Sequence, residues 1–206
     1  MKVAIVGGTG SFGRALGQSL RRLEHEVAIG SRDAERAREL AISYGFEGGA
    51  NEDVVQGVDL VVLATRSGAA IDTAGALADA IGETPLLCVA SDLHFDDTGV
   101  TPGRLGRSIA EEVADLVRGP VAAGFQSLAA AHLVQPHPPE EDVFVCGEQT
   151  RAKELALELG SQIVAGRAID AGPLANARAL EGMTSVILNV NRRYHGNAGI
   201  RLTGLP

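Results

Sequence analysis

Apolar and polar positions along the chain change period several times, and each change marks an element. Residues 2–6 (KVAIV) form a continuous apolar run, a Gly-rich turn follows, and Ala15, Leu16, Leu20 and Leu23 then recur at three- and four-residue steps. That order predicts strand, turn and helix. A second run, EVAIGS, leads into DAERARELAISYG, where Leu40, Ala41 and Tyr44 mark an apolar stripe, Asp33 is the expected N-cap and Gly45 the expected stop. A weak strand near Phe46, a helix over about 51–56, the strand DLVVLAT (59–65), a helix over about 68–81 and the apolar strand PLLCVAS continue the alternation. Wholly apolar strands separated by amphipathic helices imply a parallel sheet covered on both faces. The expected class is therefore α/β, a Rossmann-type doubly wound parallel sheet with a small C-terminal α/β portion ending in a long helix.

The second half is less regular. Residues 92–103 (DLHFDDTGVTPG) read as an acidic loop beside the ligand edge, followed by a helix over about 104–118 and the strand PVAAGFQ. The proline-rich HLVQPHPPEED predicts a boundary, with a nucleotide-binding domain over 1–138 and a smaller cleft-closing portion over 139–206. That portion should hold the strand DVFVCG, a helix over about 149–160, a strand near IVAGRAI, the turn DAGPL and the long helix. In the long helix Leu180, Met183, Thr184, Ile187 and Leu188 form a stripe that fits either packing on the same chain or a dimer seam.

Composition narrows the partners. The net charge is −8 and Lys2 and Lys153 are the two lysines, a balance that disfavours nucleic acid. No apolar run approaches the ~20 residues that span a bilayer. Cys88 and Cys146 lie far apart in apolar runs, outside any metal-ligand spacing, so free buried thiols and a cytoplasmic location are expected, with no metal.

The strongest chemistry lies in Gly8-Thr9-Gly10-Ser11-Phe12-Gly13, a GxGxxG sequence between an apolar strand and a helix. Gly8 is expected to allow the tight turn, Gly10 the approach of a pyrophosphate, and Gly13 close helix-strand packing. About twenty residues further on, an NAD-binding chain would close its second strand with an acid that holds the ribose hydroxyls. Here Gly30 stands near that place, followed by Ser31 and Arg32, with Arg36 one helical turn beyond. A carboxylate would repel a 2'-phosphate, whereas a hydroxyl and guanidinium groups donate to it. The expected cofactor is NADP, with Thr9, Ser11 and Phe12 lining it.

KVAIVGGTGSFGRALG, HEVAIGSRDAERA, AIDTA (70–74), VFVCG and DAGPLANARALE followed by TSVILNVN together resemble the NADPH-dependent reductases of coenzyme F420, an 8-hydroxy-5-deazaflavin. The resemblance covers nearly the whole chain. It implies hydride transfer between the nicotinamide C4 and the deazaflavin C5, a chemistry of positioning for which no catalytic acid is nominated. It also implies cofactor contacts at Ala64, Thr65 and Ala130 and substrate contacts at Gln126, Ser127 and Leu128; the expected assembly, from the stripe of the last helix, is a homodimer. The chain departs from the family pattern at Gln126, where His or Asn is common, at Ala64-Thr65-Arg66-Ser67, and at Ala175 and Ala177. Those departures keep two alternatives open: a reductase of another acceptor, such as a flavin or a ferric complex, and a non-catalytic NADP-binding sensor. His25, His132, His137 and His195 are expected at the surface or in loops, and His94 near the cleft.

Overall fold

The computed structural model describes residues 1–103 and 106–205. Its first strands are β1 (Lys2–Val6), β2 (Glu26–Ser31), β3 (Glu47–Ala50), β4 (Leu60–Leu63) and β5 (Leu86–Cys88), separated by α1 (Ser11–Arg22), α2 (Ala34–Tyr44), α3 (Asn51–Val54) and α4 (Ser67–Ile81). There follow β6 (Leu93–Asp96), β7 (Gly99–Pro102), α5 (Ile109–Ala114), β8 (Val121–Gly124), α6 (Ala130–Leu133), β9 (Val143–Gly147), α7 (Arg151–Ile163), β10 (Ala168–Asp170), a single tight turn at Leu174–Asn176 and α8 (Ala177–Tyr194).

One sheet runs β10-β9-β8-β5-β4-β1-β2-β3. Pairing is parallel from β3 through β8; β9 runs antiparallel to β8, and β10 parallel to β9. The chain beyond the proline-rich connection thus continues the same sheet. Strand β1 shows why both faces are dry: Val3 and Ile5 enter one apolar layer with Leu16 and Leu20 of α1, while Ala4 and Val6 enter the other with Ala74 and Leu77 of α4. From β1 the chain moves outward to β2 and β3, then returns to the other side of β1 as β4. That reversal opens a crevice at the C-terminal ends of β1 and β4.

Capping explains where the helices begin. Asp33 caps α2 as expected, its carboxylate accepting from the Arg36 amide, and Gly45 ends the helix in the left-handed region. Helix α5 is shorter than the expected 104–118, whose first two residues lie outside the described ones. Ser108 and Glu111 form a reciprocal capping box that starts it at Ile109.

The segment 92–103 is a β-hairpin rather than a loop. Asp96 accepts from the Thr98 amide and hydroxyl and from the Gly99 amide, which closes the turn. Asn189 of α8 then accepts from the Val100 amide and donates to its carbonyl, so a helix side chain occupies the edge of β7. In α8 the stripe fits packing on the same chain: Leu180 and Ile187 are buried, whereas Val186, Val190 and Tyr194 are exposed.

Beyond α8 the tail returns to the start of β9. Asp142 is fully buried, pairs with the Arg167 guanidinium at 2.8 Å and accepts from the amides of Arg167 and Leu202. Its own amide donates to the Ile200 carbonyl. His25 is buried, contrary to the surface position expected of it, and bridges the N-terminal amine and Gln162.

Candidate active site

The turn after β1 lies in the crevice. Gly7 carries the left-handed φ of 82°, and a Cβ there would stand 2.8 Å from the Ala64 carbonyl oxygen. The tight turn therefore falls one residue before the expected Gly8. At Gly13 a Cβ would meet the Gly8 Cα at 2.8 Å, which is the close helix-strand packing the motif predicts. Gly10 is exposed and caps α1 without a side-chain bond, so the backbone at this end lies open to a ligand. The first turn of α1 carries no acid, leaving its positive dipole end uncancelled.

A cleft of about 570 Å³ extends from that turn. It gathers Thr9, Gly10, Ser31, Arg32, Arg36, Ala64 and Thr65 of the expected cofactor contacts. Ser31 closes β2, and its hydroxyl accepts from the Asp33 amide at 3.1 Å. Asp33 also lines the cleft, but its carboxylate is held by the Arg36 amide at 3.0 Å. Among the described residues Arg32, Arg36 and Arg66 make no ion pair, so three free guanidinium groups face one cleft in an acidic protein.

Gly30 has a steric reason to lack a side chain. A Cβ there would stand 2.6 Å from the Asn51 Oδ1, so an acid at this position would meet α3. Asn51 and Arg66 are cleft residues that the sequence reading did not nominate. Asn51 carried no motif, and Arg66 registered as a departure from the family pattern.

Next to the cleft lies a second cavity of about 220 Å³ that shares the wall Ala64-Thr65-Arg66. Phe12, Phe125 and Leu128 give it apolar sides, and Gln126, Ser91 and Thr184 a polar end. Phe125 holds a left-handed φ of 72°, turning the chain as β8 ends. Thr184, read from sequence as part of the packing stripe, donates to the Gln126 carbonyl at 2.9 Å and pairs with the Ser91 hydroxyl at 3.0 Å.

The remaining expected residues do not line either cavity. Gly8 and Gly13 are buried beneath the turn, and Ser11 is exposed at the start of α1. Ser127 is buried beside Gln126, and Ala130 opens α6 against the core. His94 is exposed on the hairpin, paired with Asp96.

The geometry fits a phosphorylated dinucleotide. A glycine cradle without room for side chains, free arginines and two buried acceptors without partners, Thr65 Oγ1 and Asn51 Oδ1, occur together at the strand ends. Buried polar atoms are almost always paired, so such atoms in a cleft wall mark a place for ligand or water. Among the described residues no group of three or more His, Cys, Asp or Glu side chains is arranged to hold a metal ion, and no helix is long and apolar enough to cross a membrane.

Comparison with known proteins agrees with this geometry. Residues 2–90 match the family model described as NADP oxidoreductase, coenzyme F420-dependent. The F420-dependent NADP reductase of Methanothermobacter thermautotrophicus is 34% identical over all of this chain and 96% of its own length. That of Methanocaldococcus jannaschii is 30% identical, covering all of this chain and 99% of its own. A crystal structure of a candidate F420-dependent NADP reductase from Arthrobacter sp. FB24 superposes with a TM-score of 0.85 at 26% identity, over 99% of this chain and 100% of that one. An imine reductase from Streptomyces aurantiacus shares the fold alone, with a TM-score of 0.66 at 21% identity over 95% of this chain and 62% of that one. Full-length similarity at this level, joined to the glycine turn and the arginine-lined cleft, shows that the chain belongs to the family of F420-dependent NADP reductases.

Proposed function

We propose that this protein is an NADP-dependent oxidoreductase that transfers a hydride between NADP(H) and coenzyme F420. The observation that carries the reading is the shared wall Ala64-Thr65-Arg66, which joins an arginine-lined cleft to a cavity with apolar sides and a polar end. The nicotinamide ring supplies or receives the hydride at C4, and the deazaflavin does the converse at C5. Everything else falls to positioning.

In this proposal Gly8, Gly10 and Gly13 shape the turn, while the main chain of Thr9, Gly10 and Ser11 faces the pyrophosphate at the N-terminus of α1. Ser31, Arg32 and Arg36 hold the 2'-phosphate. Arg66, at the α4 N-terminus, adds positive charge where the two cavities meet. Phe12, Ala64, Thr65 and Ala130 border the nicotinamide end, and Gln126, Ser127 and Leu128 border the acceptor. The hydride moves directly between the two carbons, and the proton that completes the reduced deazaflavin is taken from solvent and returned to it in the reverse direction, so no side chain is assigned a proton transfer. Residues 1–138 would then form the nucleotide-binding part, and 139–206 the part that completes the acceptor side.

The exposed apolar face of α8, formed by Val186, Val190 and Tyr194, supports a homodimer, and light scattering across concentration tests it. Two buried free thiols support work in a reducing cytoplasm.

The test is turnover by purified protein with NADPH and oxidised F420, followed as bleaching of the deazaflavin's visible absorbance. Flavin and a ferric chelate run in parallel. Turnover of F420 well above the others supports the proposal. Equal or better turnover of flavin or ferric chelate would favour the other-acceptor reading, and binding of NADPH without any turnover the sensor.

A further inference from the structure

The polar end of the smaller cavity has a defined hydrogen-bond polarity. Gln126 is 7% exposed, and its Nε2 donates to the Cys88 carbonyl at 3.2 Å. A carbonyl only accepts, so the amide cannot be reversed without setting oxygen against oxygen. The Gln126 Oε1 is then buried without a partner. Thr184 has one hydroxyl proton, and it goes to the Gln126 main-chain oxygen at 2.9 Å. Ser91, whose Oγ lies 3.0 Å from the Thr184 Oγ1, must therefore donate its own proton to Thr184. Only lone pairs remain on Ser91.

Gln126 and Ser91 thus both line this wall with an acceptor to offer, Gln126 Oε1 and Ser91 Oγ; Ser91 and Thr184 have no side-chain proton left to give, and the amide nitrogen of Gln126 keeps one N–H besides the one on Cys88. The cavity's apolar sides are Phe12, Phe125 and Leu128, surfaces suited to a flat ring. A ligand that fills it well presents apolar surface to these side chains and brings a donor to the Gln126 oxygen.

We propose that Gln126 is a specificity-determining residue that accepts a hydrogen bond from a ring N–H of the lactam or imide class on the hydride acceptor. The inference rests on the deazaflavin reading above and adds to it the edge by which the ring is recognised. Ser91, held by Thr184, offers a second acceptor beside it. An acceptor without such a group leaves a buried amide oxygen unpaired and is selected against, because discrimination is strongest where a site is built to pair a polar group. A ferric chelate that offers no ring N–H falls in that class.

Two arms test this in steady state with NADPH. The first compares the wild type with Gln126→Met, which keeps length and removes both the donor and the acceptor of the amide. The second gives the wild type a deazaflavin methylated at the imide nitrogen. Loss of one hydrogen bond predicts that KM for the acceptor rises about tenfold in either arm, with kcat changed less and KM for NADPH within about twofold. Combining variant and methylated ring should add little further loss, since both remove the same interaction. Unchanged acceptor KM in the variant, or a methylated ring used as well as the parent, overturns the proposal. So does an equal loss toward NADPH and acceptor in a variant that is still folded. If Gln126→Met does not fold, the methylated ring on the wild type decides alone. Wild-type protein that binds NADPH but does not turn over the unmodified deazaflavin overturns the functional reading itself, and this proposal with it.

Discussion

Asp33 stands next to Arg32, where its charge would oppose a phosphate, yet its carboxylate is held at the α2 N-terminus by the Arg36 amide. Its own amide donates to Ser31, which orients that hydroxyl at the cleft. Arg32→Ala should therefore weaken NADPH by about tenfold or more while changing NADH by less than about twofold, as one charge-assisted hydrogen bond would predict. The check is KM for each nucleotide; equal losses would assign Arg32 a role outside phosphate recognition. At this scale the sequence was highly legible, because local rules govern it: a cap, a glycine turn and a missing acid. Asn51 was not legible. Its importance arises from β2 and α3 meeting across Gly30, which no spacing along the chain reveals. The thiols give a second residue-scale expectation. Burial pushes the Cys88 and Cys146 thiols up to about 12, so a disulfide-exchange reagent should label both only as fast as the protein opens. Rapid labelling of the native protein would contradict their burial.

Elements at the edge of the sheet depend on contacts far apart in sequence. The β6–β7 hairpin looked like a loop because its alternation is short and acidic, and it is held by Asn189, 89 residues from Val100. Asn189→Ala removes both bonds to Val100 and should speed amide exchange over 93–102, measured by mass spectrometry, while exchange in β1 and β4 stays unchanged. The tail is held in a comparable way. Hydrogen bonds from the Arg167 guanidinium, helped by the Leu202 and Arg167 amides, bring the Asp142 carboxyl down to about 2 although burial opposes this. An acid whose folded pKa is depressed stabilises the fold above its unfolded value, about 3.9, and that contribution is lost as pH falls through about 2. Asp142→Asn should therefore lower stability by about 2 kcal/mol at neutral pH and flatten the loss of stability over that acid range, read by denaturant unfolding. The proline-rich connection marked where the chain turns back, but the antiparallel β9 beyond it depends on pairing with β8 that periodicity does not encode.

Across the whole molecule, eight strands and two dry layers bring the ends of β1, β4, β5 and β8 to one edge. The parallel half was readable because continuous apolar strands alternating with amphipathic helices admit few other folds. The joining of the two cavities through Ala64-Thr65-Arg66 was not, since it depends on how the turn after β4 faces the end of β8. That joining underlies the central claim of direct hydride transfer across one shared wall. The measurement that tests it most directly uses NADPH carrying deuterium at the nicotinamide C4, each stereochemical form in turn, with oxidised F420. Mass analysis of the reduced deazaflavin should find the label at C5 with one form and not the other. Label lost to solvent with both forms, or carried to neither, would contradict the account.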